Sequence, residues 1–295
     1  MRDAELARLA GQQRNRFGYS QLVELGFTPE AIRHRLRSGR IVRRRRGVYA
    51  IAPVLEDDDG HWIELTLTAP GSFLRDRTAA CALGVLDRTP PIDAIVRPGV
   101  GGPRLHDGIR VYRSATLAGE TAEVRGIPVT AIERTLLDLT GVSTRAALAR
   151  ALREAVRLEL TSLALLGDAL GRFRGRRGTP RLAAALARYA GLPIEDARSG
   201  SEVLAMEILR DAGRPMPRLN HRVGGEEADL SWPELRLILE IDGGPFHLDR
   251  GEDARKQAVW EAAGFEVRRL PSDLVYEAPA ALLALAPPAR AGSSA

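Results

Sequence analysis

Three carboxylates near the end of the chain carry a strong chemical signal. Asp229, Glu240 and Asp242 flank the apolar run Leu237-Ile238-Leu239. Pro233-Glu234 reads as a turn between two strands, and a hairpin centred there pairs residue 229 with 238. Asp229 and Glu240 are then diagonal neighbours on one sheet face, about 7–8 Å apart. Asp242 follows Glu240 by two and shares that face while the strand lasts; Glu227 joins them if the register holds. Carboxylates gathered beside buried apolar residues are costly unless a metal or a proton neutralises them. Mg²⁺ (or Mn²⁺) suits such oxygen ligands and keeps waters that can become nucleophiles. The chemistry expected is metal-assisted hydrolysis; the plain alternative is an exposed acidic sheet edge.

A second concentration of reactive groups lies at the other end. Residues 1–53 hold 12 Arg against four acids, whereas residues 198–280 hold 11 basic and 16 acidic residues. Of 43 Lys plus Arg, only Lys256 is lysine. Arginine-rich coding composition accounts for the overall excess, but not for its crowding. A guanidinium fork suits phosphate and base-edge recognition, so the basic head points to a polyanion.

The elements that must position these arginines are legible. Residues 4–14 predict a helix with Ala4, Leu6, Leu9 and Ala10 on one face. A second helix, Gln21–Leu25, has Ser20 as its cap, and Thr28-Pro29 opens a third that ends at Gly39. Ile32 and Leu36 lie four apart on the third helix, which turns Arg33, Arg35 and Arg37 towards its other faces. Residues 41–51 read as two strands around the basic run Arg43, Arg44, Arg45 and Arg46. Helix, helix, turn, basic helix and basic hairpin describe a winged helix-turn-helix, with a groove-reading helix and a phosphate-neutralising wing. The expected partner is double-stranded DNA; the plain alternative is a solvated basic surface.

This stretch, Tyr19 to Ile51, resembles the N-terminal DNA-binding domain of AbiEi-type antitoxins from type IV toxin–antitoxin systems. The resemblance implies DNA binding, commonly with repression of the protein's own operon, and a possible cognate toxin or self-dimer as partner.

Four segments are expected: a winged helix over 1–53, a middle α+β region over 54–190, a C-terminal domain over 191–280 and a flexible tail over 281–295. In the middle region, residues 57–59 read as a surface loop, 78–85 as a helix of small residues, and 94–97 and 109–112 as strands. Gly126–Thr140 is similar to the linker and helix that follow the winged helix in AbiEi-like proteins, and helical patterns fill 144–170 and 179–190. The insert Arg172-Phe173-Arg174-Gly175-Arg176-Arg177-Gly178 leaves two readings open, a DNA contact or a flexible loop. The single Cys81 excludes a disulfide framework or a cysteine-rich zinc site. The N-terminus has no apolar signal region and no run approaches a membrane span, so no membrane partner and a cytoplasmic location are expected.

Beyond residue 198 the sequence predicts a helix from Ser199 to Leu209, strands at 218–223, 228–231 and 235–241, a helix at 249–263 and a strand at 265–270. The order of Ser199–Glu202, Asp229, Trp232-Pro233-Glu234, Glu240-Ile241-Asp242-Gly243, Phe246-His247, Arg255 and Gly264–Leu270 resembles the PD-(D/E)xK nuclease superfamily, and more closely its very-short-patch-repair-like branch. The resemblance implies a restriction-endonuclease-like mixed sheet flanked by helices, within an α+β / α/β multidomain chain. It implies Asp229 and Glu240 as metal ligands helped by the Ile241 carbonyl, and Glu202 as the acidic helix residue that ligates the metal through water. It also implies His247 as general base or water positioner and Arg255 as a phosphate contact. Asp242 stands where the superfamily keeps a lysine, and Lys256 on the next helix is either a relocated catalytic lysine or simply exposed. The function expected is a DNA-binding, Mg²⁺-dependent endonuclease. The alternatives are a non-catalytic antitoxin-like repressor and a nuclease acting on RNA.

Overall fold

The structure is a computed structural model that describes residues 2–87, 92–193, 196–242 and 250–289. The chain forms two compact units, one of residues 1–152 with 169–182, the other of residues 153–168 with 183–295. It is a mixed α/β protein with three sheets and thirteen α-helices among the described residues.

The first unit opens with α1 (Arg2–Gln12), β1 (Arg16–Gly18), α2 (Tyr19–Glu24), α3 (Pro29–Arg37), β2 (Ile41–Arg45) and β3 (Val48–Ile51). The strands pair antiparallel in the order β1-β3-β2. With its two strands joined through Gly47 (φ +74°), the hairpin follows α3 where a winged helix carries its wing. Thr28 Oγ1 accepts from the Ala31 N–H at 3.2 Å and Pro29 sits at the first helical position, so α3 starts where the sequence places it. Leu6, Ala10, Phe17, Leu22, Phe27, Ile32, Ile41 and Tyr49 form the core. One expectation changes, and one short strand is added. The α2 helix starts at Tyr19, and the Gln21 side chain, not Ser20, caps it by accepting from the Gly18 N–H at 2.9 Å. Strand β1 is three buried residues, too short to show an alternation.

The same unit continues with α4 (Asp58–Thr68), β4 (Phe73–Leu74), α5 (Asp76–Ala82), β5 (Ala94–Pro98), β6 (Arg104–His106), β7 (Ile109–Ser114), β8 (Thr121–Val124), β9 (Ile127–Thr130) and α6 (Ile132–Leu139). Its sheet runs β6-β7-β5-β4-β9-β8. The acidic run 57–59 is not a loop: Asp57 accepts from the Gly60 N–H at 2.7 Å and caps α4, where Asp58 and Asp59 meet the positive end of the helix dipole. Gly126–Thr140 divides into a buried strand and a helix. Helices α7 (Arg145–Arg157), α8 (Leu163–Arg172) and α9 (Thr179–Ala187) follow, shared between the two units.

The second unit holds α10 (Gly200–Asp211), β10 (Arg218–Val223), β11 (Glu226–Trp232), β12 (Leu237–Asp242), α11 (Arg250–Ala262), β13 (Glu266–Pro271), α12 (Ser272–Glu277) and α13 (Pro279–Leu285). Its sheet runs β10-β11-β12-β13, antiparallel except for the last, parallel pair. Ser199 caps α10 by accepting from the Glu202 N–H at 3.1 Å. The hairpin register differs from the expected one by two residues: Leu230 pairs with Leu239, not with 237. The cause is the connection, a 3₁₀ turn (Pro233–Leu235) closed by Arg236 at φ +52°, longer than a tight turn on Pro233-Glu234. The segment expected as a tail from 281 is helical through Leu285, and Leu282 and Ala286 are buried in the core of this unit.

Candidate functional site

The basic head presents its arginines selectively. On α3, Arg33 and Arg37 point outward and, with Glu30 and Leu36, line a groove of about 550 Å³. Glu30 pairs with Arg33 one turn on. Arg35 does not reach out: it donates to Asp3 at 2.7 Å and lies 4.5 Å over the Phe27 ring, bracing α3 against α1. A β-bulge between Arg43 and Arg45 splits the wing run. Arg43 and Arg46 are exposed, with no acidic partner among the described residues. Arg44 instead donates to Glu64 at 2.7 Å and to Glu56 at 2.6 Å, and Arg45 lies 3.8 Å from Glu64. Thus Arg33, Arg37, Arg43 and Arg46 form the outward set, while Arg35, Arg44 and Arg45 serve the fold.

Glu64, on α4, is the hub that sequence reasoning missed. It also accepts from Arg16 Nε at 2.9 Å, in an ion pair whose side chains are 1% and 5% exposed. Arg16 donates further to the Arg14 and Leu55 carbonyls, so its charge is paired and its donors are used. A Cβ on Gly60 would overlap that guanidinium, so glycine is required where α4 crosses it. Arg14 pairs with Asp57 and Asp59 beside this clasp. No local pattern announces a pair 48 residues apart.

In the second unit, the altered register brings Asp229 directly opposite Glu240. Each carboxylate reaches the other's strand: Glu240 Oε1 accepts from the Asp229 N–H at 2.9 Å, and Asp229 Oδ2 accepts from the Ile241 N–H at 2.8 Å. Burial, and for Glu240 also the Asp229 charge, pushes both pKa values well up from the ordinary carboxylate range. Lys256 opposes the rise at both groups and Arg269 does so at Glu240. The Lys256 ammonium itself is partly exposed and lies 3.3 Å from Glu252.

Glu202 is buried on α10, where its Oε2 accepts from the Arg198 N–H and from Asn220 Nδ2. Asn220 holds a left-handed φ of +47° inside β10, a strained position for a non-glycine residue. Asp242 pairs with Arg269 at 2.7 Å and Glu227 with Arg198 at 2.6 Å. Arg255 is tied to Glu226 at 2.6 Å on the surface. His247 lies outside the described residues. Among the described residues no three His, Cys, Asp or Glu side chains converge as a ready-made metal centre. The arrangement is a carboxylate pair in which one oxygen of each side chain accepts a backbone N–H, not a closed cage among the described residues.

Comparison with known proteins bears on the head. Residues 4–52 match the family model of the AbiEi antitoxin transcriptional regulators. An uncharacterised protein of Mycobacterium tuberculosis, from strains CDC 1551 and H37Rv, is 25% identical over 250 residues, covering 79% of this chain and 85% of its own length. That likeness reaches well beyond the AbiEi-type head. No helix among the described residues is long and apolar enough to cross a membrane.

Proposed function

We propose that the chain is a DNA-binding transcriptional regulator of the AbiEi antitoxin kind, with α3 in the major groove and the wing on the flanking phosphates. The observation that carries this reading is the outward set Arg33, Arg37, Arg43 and Arg46 on a winged helix whose residues 4–52 match that family. Arg33 and Arg37 have the chemistry to bind guanine edges in two-bond contacts, and Arg43 and Arg46 to neutralise phosphates. A cognate toxin or a second copy is the protein partner consistent with an antitoxin. Selection of bound duplexes from a random pool tests the reading: enrichment of a short defined site supports it, and no enrichment over the starting pool contradicts it.

A second reading, a metal-dependent endonuclease in the second unit, is favoured by one observation: the opposed Asp229 and Glu240 with raised pKa values. The pair fits one hydrated divalent cation, Mg²⁺ or Mn²⁺, which needs only one or two carboxylates and keeps its waters. Asp229, Glu240 and the Ile241 carbonyl would hold it, and the bound ion would supply an activated water. Glu202 and Asp242 would set the negative field around it, Lys256 would counter that field, and His247 is the proposed proton acceptor. Plasmid nicking with and without Mg²⁺ or Mn²⁺ decides this reading. Nicking lost in Asp229→Ala supports the endonuclease, and identical plasmid in every arm leaves the regulator alone.

A further inference from the structure

The end of α8 and the loop that joins it to α9 carry four arginines, at positions 172, 174, 176 and 177. The ordering of this segment is unlike that of a flexible insert. Phe173 is buried at its base, and Thr179 Oγ1 donates to the Phe173 carbonyl at 2.7 Å. Arg176 pairs with Glu120 at 2.6 Å and stacks 4.9 Å over the Phe173 ring. Gly178, at φ +94°, presses its backbone on Thr140 so closely that a Cβ would collide with Oγ1. Arg181 donates to the Thr140 and Ser143 carbonyls at the end of α6. One arginine is thus consumed in fixing the loop. Arg172, Arg174 and Arg177 remain exposed with no acidic partner among the described residues, and the nearby Glu120 is already neutralised by Arg134 and Arg176.

The loop belongs to the same compact unit as the winged helix, and residues at the two ends of β8 tie to each of them. At one end of β8, Glu120 holds the loop through Arg176. At the other, Arg125 pairs with Asp59, which also holds Arg14 of the head. Three uncompensated guanidinium groups on a fixed mount in the same unit have the chemistry to bind phosphates of a duplex engaged by the head.

We infer that Arg172, Arg174 and Arg177 form a second phosphate-binding surface that grips duplex DNA flanking the segment held by the winged helix. This rests on the DNA-binding reading of the head, so the test separates the two. Binding of random-sequence duplexes of about 12 and about 30 base pairs is measured as a function of salt. The proteins are wild type, the R172A/R174A/R177A triple variant, its Arg→Lys counterpart, and an R43A/R46A variant. On the long duplex the triple alanine variant should lose two to three units of salt slope, at about 0.9 per phosphate contact. The short duplex should show no change, and the lysine variant should retain the slope. An unchanged slope on the long duplex, with R43A/R46A still weakened, overturns the loop contact and leaves the head's role standing. Absence of duplex binding by wild type overturns both.

Discussion

Glu64 shows how one side chain divides a basic run between fold and function. It neutralises Arg16 inside the unit and draws Arg44 and Arg45 away from the solvent face of the wing. Removing one member of a buried ion pair leaves the other uncompensated, which costs about 3–5 kcal/mol. Glu64→Gln should therefore lower unfolding stability by an amount near that range, while Arg44 and Arg45 become available to DNA and steepen the salt dependence of binding. Stability equal to wild type in denaturant titration would contradict the clasp. The carboxylate pair obeys the opposite sign. Glu240 holds its proton in the folded state above the ordinary value of 4.5, because burial and Asp229 oppose its charge. The unfolded chain releases that proton first, so this group's contribution is intact at acid pH and is lost as pH rises from 4.5 through the raised folded value. The slope is at most about 1.4 kcal/mol per pH unit. Glu240→Gln should flatten it, and unfolding curves with the same pH dependence in both proteins would refute the raised pKa. The carboxylate pair was legible in the hairpin pattern, whereas the Glu64 clasp was not, because Glu64 and Arg16 lie 48 residues apart.

At the scale of elements, backbone contacts set what the side chains can do. Helix α4 lies against the head through Gly60, where a methyl group would strike the Arg16 guanidinium. Gly60→Ala, in the first turn of α4, should destabilise the protein, because its methyl group must displace the buried Arg16 guanidinium; a raised Tm would show that the contact is loose. The α3 helix and the wing hairpin were readable because their signals are local: Thr28-Pro29 at the start, Gly39 after the end, Gly47 in the hairpin. Strand β1, α4 and the two last helices were not. Three residues carry no period, an acidic run reads equally well as loop or as helix start, and α12 and α13 owe their existence to packing on the sheet. The hairpin carrying Asp229 was right in kind and shifted in register, because the 3₁₀ turn ending at Arg236 adds residues that a Pro-Glu turn does not announce.

Across the whole molecule, charge follows the units. The head and the α8–α9 segment keep unpaired guanidinium groups exposed in the first unit, and the second unit sets Glu202 and Asp242 near Asp229. A modest net charge of +5 hides both. The sequence carried this segregation openly, since it is arithmetic over segments; which arginines are free is decided by partners tens of residues away. The central claim is that the winged helix binds duplex DNA through Arg33, Arg37, Arg43 and Arg46. Fluorescence anisotropy of a labelled duplex across a salt series, comparing wild type with R43A/R46A, tests it most directly. The account predicts weaker binding and a slope reduced by about two units, near 0.9 per lost phosphate contact. Equal affinity and equal slope in the two proteins would contradict it.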